Sequence, residues 1–290
     1  MFKTGVRSFS VLLILSFIFL GGCASQQKVI QLVSEKLDLR YNFTSGQTLQ
    51  YRTNSTLIQT MEVRGNEVTT EVEKEIVYSV VPTKQDADKS MLKFTINSGS
   101  MNISQPGGDM KVDMNEIIGK SFTMQANSFG KEFESTDIDS ITYSIGPTKH
   151  SIAIDFQAVF PDLAGKPVTI DDSWTVIDTI KIKAATTDFE MVMIDKYTLK
   201  GVEQIEDRNC AKITCATSAN LQSISTAQGM DFVTKVELKG NATIYFDYEN
   251  GIFVKINSDA SGSGSITAMG DEKIIIPLEQ KMIVETIFVE

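Results

Sequence analysis

The stretch Leu49 to Arg64 limits the folds open to this chain more than any other. Its alternate residues Leu49, Tyr51, Thr53, Ser55, Leu57, Gln59, Met61 and Val63 are mostly apolar. The residues between them, from Gln50 to Arg64, include one apolar side chain, Ile58. A period of two puts the first set on one face of a strand and the second on the other. A strand buried on one side and wet on the other belongs to an antiparallel sheet. Arg64-Gly65-Asn66-Glu67 reads as a turn, and Val68 to Val81 returns as the second arm of a long hairpin. Met91 to Ile103 reads as the next strand.

The pattern continues with interruptions. Asp113 to Lys120 reads as one or two helical turns, with Asp113 as cap and Glu116 three residues on. Ser121 to Ala126 and Lys131 to Ser135 form a hairpin around Ser128-Phe129-Gly130. Thr148 to Phe160 reads as a short helix, although Ile152, Ile154 and Phe156 also fit a strand, and Pro161 and Pro167 end that segment. Asp171-Asp172-Ser173-Trp174 then leads into a strand over Val176 to Ala184. In Ser261-Gly262-Ser263-Gly264-Ser265 the small residues let a strand bend or pack closely. Leu278 to Val289 is apolar on both faces, as befits a central or covered strand. The expected fold is mainly β: antiparallel curved sheets in an open barrel or sandwich, with one or two short helices.

The chain also repeats its punctuation. Tyr78 and Tyr197 each precede a polar turn and a new strand, and they stand 119 residues apart. Gly130 and Gly251 each centre a hairpin, 121 residues apart. A duplication of about 120 residues follows, with a first β half over 37–165 and a second over 166–290.

The amino terminus is of another kind. Lys3 and Arg7 precede an almost wholly apolar run from Ser8 to Leu20, shorter than the ~20 residues a spanning helix needs. Basic, apolar and small-residue regions in that order make a secretory signal. At Leu20-Gly21-Gly22-Cys23 the segment resembles the lipobox of bacterial lipoproteins. The resemblance implies a signal peptide over 1–22, cleavage between Gly22 and Cys23, and a diacylglycerol thioether on Cys23, followed by a tether over 23–36. It also implies anchoring to a membrane through acyl chains, each methylene contributing about 0.8 kcal/mol. Ala24 in place of an acidic residue favours the outer membrane, facing the periplasm. The body, with its Trp174 strand, Tyr197 strand and Tyr245-Phe246-Asp247 hairpin closing on Gly251, resembles a family of uncharacterised β-rich bacterial lipoproteins. It is loosely similar in architecture to the lipoprotein-carrier fold, an open β-barrel with a short helix in its concavity.

Charge and cysteine use narrow the function classes. Residues 1–22 hold two basic side chains and no acids, so their removal takes the formal charge from −10 to −12. Such a chain repels nucleic acid and anionic head groups. Cys210 and Cys215 remain. They lie five residues apart in one expected strand with opposite parity, beyond the reach of a disulfide, and read as two buried free thiols.

Nothing legible marks a catalytic centre. His150 is the single histidine, in a polar segment, and no Gly-x-Ser-x-Gly places a nucleophile. Asp109, Asp113, Asn115 and Glu116 lack the spacing of a calcium loop and read as a cap with solvated acids. No cofactor or metal is expected. Trp174 is the one candidate for a ligand wall, its alternative being a core residue. Twelve methionines and sixteen phenylalanines could line an apolar concavity or fill a core. The expectation is a non-catalytic envelope protein that binds a lipid or another apolar ligand in a β concavity, the alternative being an accessory protein acting through protein contacts.

Overall fold

In this computed structural model the described residues are 29–30 and 36–289, apart from 45, 64, 87–88, 147, 185–186, 228–229 and 271–272. Cys23, Gly22 and the signal peptide lie outside them. The described chain is mainly β, dominated by one antiparallel sheet of thirteen strands.

The first half supplies β2 (Leu49–Val63), β3 (Asn66–Asp86) and β4 (Lys89–Ser104), preceded by the short β1 (Val29–Ile30). Three shorter strands follow: β5 (Met110–Val112), β6 (Ser121–Ala126) and β7 (Glu132–Thr136). A separate hairpin, β8 (Thr142–Ile145) with β9 (Thr148–Ser151), is flanked by two 3₁₀ turns, η1 (Ile138–Ser140) and η2 (Ile152–Phe156). The second half is a meander of β10 (Ser173–Ala184), β11 (Thr187–Ile205), β12 (Arg208–Ala227), β13 (Met230–Asp247), β14 (Ile252–Met269) and β15 (Lys273–Phe288).

Across the sheet the order is β7-β6-β4-β3-β2-β15-β14-β13-β12-β11-β10, with β5 added to β4 and β1 to β11. The expected hairpin of β2 and β3 is present in continuous register from Leu49↔Val80 to Val63↔Asn66. β15, apolar on both faces, is central: it joins the halves by pairing with β14 on one side and β2 on the other.

Burial is concentrated at one end of these long strands. Leu49, Tyr51, Tyr78, Val80, Phe94, Phe122, Leu199, Ile213, Phe246 and Phe253 are all buried there. Two stretches outside the sheet fill the concavity, residues 36–44 and 137–170. Phe156 of η2 packs edge-on against Tyr78, Phe94 and Phe122, with ring centroids 5.1, 5.9 and 5.0 Å away. Tyr41 packs edge-on against Phe246 of β13, 5.1 Å away, and against Phe160 of the other plug stretch, 5.3 Å away. The Tyr41 N–H donates to the Ser128 carbonyl and the Asn42 N–H to the Gly251 carbonyl, so residues 36–44 stitch both hairpin turns to the plug.

Two local expectations need correction. Residues 113–120 form successive tight turns, not a helix. The Asp113 carboxylate accepts from the N–H of Asn115, two residues on, and the backbone bonds run i→i+3, as from Ile117 N–H to the Met114 carbonyl. The stretch 148–160 divides into β9 and the five-residue η2, because Ser151 is extended and its hydroxyl caps the N–H of Ala153. Cys210 and Cys215 are both free and both buried, on opposite faces of β12. Burial pushes each thiol up to about 12.

Candidate functional site

Strands of 15 to 21 residues extend about 50–70 Å, several times the usual strand length. The plug covers only part of that. Its border is marked by Lys74 on the inner face of β3, which ion-pairs with Asp155 of η2. Beyond this row the inner face continues as an apolar trough. One register row runs Met193, Ala219, Leu238, Gly262, Gln280, Gln59. The next runs Met191, Leu221, Val236, Gly264, Leu278, Met61. The outer face of the same strands carries Glu237, Lys239, Ser261, Ser263, Glu279 and Lys281. The sheet is therefore amphipathic past the end of its core. Met282 and Ile274, on the trough side, are 42% and 56% exposed.

The glycines of β14 shape the trough floor. A Cβ on Gly262 would stand 2.3 Å from the Glu237 carbonyl oxygen, and one on Gly264 would stand 1.9 Å from that of Lys235. Strand β13 passes too close for any side chain there, which is the close packing that the Ser-Gly-Ser-Gly-Ser run allows.

The sheet does not close. Its last strands, β7 and β10, each have a single neighbour, yet both line one cavity of about 480 Å³. Phe160, Ile180, Ile182 and Met193 give it apolar wall, and Glu132, Asp162 and Asp178 give it carboxyl groups. Ile180, Ile182 and Met193 belong to the inner face that forms the trough, so this seam is the trough's lateral mouth.

Residues 157–163 form a strap across the seam. On one side Glu132 of β7 accepts from the N–H groups of Ala158 (3.1 Å) and Phe160 (3.0 Å). On the other, the Trp174 indole N–H donates to the Asp162 carbonyl (2.9 Å), and the Asp162 backbone hydrogen-bonds the Tyr197 hydroxyl. The Asp162 and Asp178 carboxyls both line this cavity. Burial is the main cause raising both groups: Glu132 goes up to about 7 despite its amide donors, and Asp162 to about 7 with Asp178 adding to the shift. Asp195, one row away on β11, is raised as well, by burial and then by Asp178.

The sign of the resulting pH effect follows from linkage. Both carboxyls bind protons more tightly folded than unfolded, so the stability they contribute is complete below about pH 4 and is lost as pH rises through about 7. Thermal melts should show Tm rising from pH 8 to pH 6. The double variant Glu132→Gln/Asp162→Asn should flatten that slope. A parent Tm that falls over the same interval would contradict this assignment.

Trp174 faces inward on β10, half-buried, with its ring stacked on Tyr197 at 5.5 Å and 12°. It sits beside the strap and not in the open part of the trough. His150 is half-buried on β9, stacked on Tyr143 at 5.9 Å. Its pKa is lowered by burial and then by Lys74. Among the described residues no group of His, Cys, Asp or Glu side chains is arranged to hold a metal ion. The seam carboxyls were missed by motif reading, although parity carried a signal. Asp178 shares a face with Trp174, Val176, Ile180 and Ile182, and Asp195 shares one with Met191, Met193, Tyr197 and Leu199. A lone acid in each apolar row marks a charge pointing inward.

No protein-family model matches the chain, and no curated protein does. Among solved structures, the COG4313 outer membrane channel from Pseudomonas putida F1 aligns over 86% of this chain and 97% of its own, at 8% identity and a TM-score of 0.27. Pseudomonas aeruginosa OccK2 (OpdF) aligns over 86% and 100%, at 7% identity and a TM-score of 0.26. A DUF1329 family protein from Desulfovibrio piger aligns over 83% and 85%, at 10% identity and a TM-score of 0.15. At these scores the similarity carries no argument about function.

Proposed function

We propose that the protein is a non-catalytic, lipid-anchored envelope protein that holds an apolar ligand in the trough. One observation carries the ligand reading: two rows past the plug the inner face is mostly apolar, while between them the outer face of β13 to β15 carries Glu237, Lys239, Ser261, Ser263, Glu279 and Lys281. A sheet with only a core to cover would end where its core ends, and leaving such a face to water costs about 25 cal/mol per Å². Methionines along the trough, Met61, Met191, Met193 and Met282, make an adaptable wall. The anchor reading rests on Leu20-Gly21-Gly22-Cys23. An acylated Cys23 would hold this acidic body at a membrane that its charge alone would avoid.

The test has two arms. Protein expressed from residue 24 is purified and extracted with solvent, and mass spectrometry should find an apolar small molecule in stoichiometric amount. A clean extract from protein that also fails to bind an apolar dye would end the ligand reading. Labelled fatty acid should enter the full-length chain and not Cys23→Ser. Equal labelling of both would remove the anchor.

A second reading has its own observation. On the outer face of the β10–β11 edge, Ile177, Ile194 and Val192 are 66%, 44% and 36% exposed. A patch of this kind suits contact with another envelope protein, as an accessory role would require.

A further inference from the structure

We propose that the end of the sheet filled by the plug is the surface that meets the anchoring membrane, and that the open trough is carried away from it into the compartment. A ligand then enters and leaves the trough on the compartment side, with the plug between it and the bilayer that holds the anchor. The proposal rests on the anchor and trough readings above and adds the orientation that joins them.

The two ends of the described chain both lie at the filled end. β1 pairs with β11 at Val29↔Glu203 and Ile30↔Val202, two and three residues before β11 ends at Ile205. The pairing is antiparallel, so the side of β1 that leads back to Cys23 points past the β11–β12 turn and away from the trough. The Leu37 N–H donates to the Val168 carbonyl (2.8 Å) and the Val168 N–H to that of Leu37 (2.9 Å), which ties the start of residues 36–44 into the plug. The carboxyl-terminal side closes at the same level, where the Val289 N–H donates to the Gln50 carbonyl (2.7 Å).

Length decides the rest. Residues 24–28 join Cys23 to Val29, and that stretch reaches about 20 Å at most. The opposite ends of the strands stand much farther off. β12 and β13, of 20 and 18 residues, rise about 60 Å from the filled end to the turn that joins them. The turns from β2 to β3, β10 to β11 and β14 to β15 lie at that same far end. These tips are beyond the tether's reach, so the acyl chains enter the bilayer beside the filled end. The lateral mouth is raised as well, since Ile180 and Ile182 lie six and eight residues along β10 from Trp174, toward the tips. Charge keeps the body off the head groups. The chain without residues 1–22 carries −12, and the outer face of β13 and β15 presents Glu237, Lys239, Glu279 and Lys281.

The acylated protein is bound to phosphatidylcholine vesicles that carry a trace of rhodamine-labelled lipid, with a donor dye on one introduced cysteine. Asp207→Cys and Glu249→Cys label turns of the filled end, and Glu67→Cys and Lys273→Cys label the tips; all four positions are exposed. Cys210 and Cys215 are buried, and the parent gives their labelling background. Energy transfer to the vesicle should be roughly tenfold stronger from the two filled-end labels than from the two tip labels, which stand about 50–60 Å farther along the strands. Equal transfer from both ends, as from a body lying flat, or stronger transfer from the tips, would overturn the orientation. The chain from residue 24, held by an amino-terminal hexahistidine tag on nickel-chelating lipid, tests the same geometry without acylation. Full-length protein that fails to float with vesicles, while the tagged chain shows the gradient, would remove the acyl anchor and leave the orientation standing. The gradient in a protein that takes up no N-phenyl-1-naphthylamine, an apolar fluorescent dye, would remove the trough's ligand alone.

Discussion

Replacing Phe156 by alanine is expected to lower the unfolding free energy by about 3–5 kcal/mol, the range for deleting a buried phenylalanine. Phe156 is 1% exposed and meets three strands at once, through Tyr78 of β3, Phe94 of β4 and Phe122 of β6. It also stands at the head of the strap, so the cavity it leaves would loosen the segment that spans the seam. Domains of this size have some 5–15 kcal/mol to lose, so the urea midpoint should fall by about a fifth or more. Phe133→Ala is the control. Phe133 is 39% exposed on the edge strand β7, with the Lys89 ammonium 3.7 Å above its ring, and its loss should cost no more than about 1 kcal/mol. Near-equal midpoints for the two variants would show that η2 only rests on the sheet and does not anchor it.

How much of this was legible depends on whether the information is local. The alternation over Leu49 to Val63 and the two-faced apolarity of Leu278 to Val289 fixed one strand's inner face and the other's central place, because both follow from side-chain parity. The close packing at Ser-Gly-Ser-Gly-Ser was legible because only glycine tolerates so close a neighbour. Residues 113–120 misled, since an aspartate with a glutamate three residues on fits a helix cap, while the same aspartate starts an Asx turn equally well. Gly119, at φ +77°, then prevents propagation. The seam was the hardest to foresee. Glu132, Asp162 and Asp178 lie far apart in sequence, and what unites them is the curl of an eleven-strand path whose ends approach without pairing. Parity could place Asp178 on an apolar face, but nothing local says what it faces. Trp174 is packed on Tyr197, and its N–H is committed to the strap.

The glycines of the two hairpins lead to the second large effect, which also bears on the repeat. Gly130 and Gly251 have φ of +89° and +69°, a region that costs an L-residue about 1–2 kcal/mol. Both are also hemmed in by backbone. A Cβ on Gly130 would lie 2.4 Å from the Pro161 carbonyl oxygen, and one on Gly251 would lie 2.5 Å from the Asn42 nitrogen. Overpacking of that kind adds about 1–3 kcal/mol, so Gly130→Ala and Gly251→Ala should each cost roughly 2–5 kcal/mol. Gly65, at φ +78° with nothing within 4 Å of a Cβ, isolates the backbone part, and Gly65→Ala should cost only about 1–2 kcal/mol. The two crowded turns are built alike: the Asn127 side chain accepts from the N–H groups of Phe129 and Lys131, and that of Asp247 from those of Glu249 and Asn250. Both turns then press on the same few residues, Tyr41 for Gly130 and Arg40 and Asn42 for Gly251. If residues 36–44 are the shared clasp of two equivalent halves, displacing them once relieves the Gly251 clash and the Tyr41 part of the Gly130 clash, leaving only the Pro161 contact. Gly130→Ala/Gly251→Ala should therefore cost less than the sum of the single variants, by about 0.5–3 kcal/mol in a double-mutant cycle. Strict additivity would mean that each hairpin is held by its own half and that the clasp transmits nothing between them.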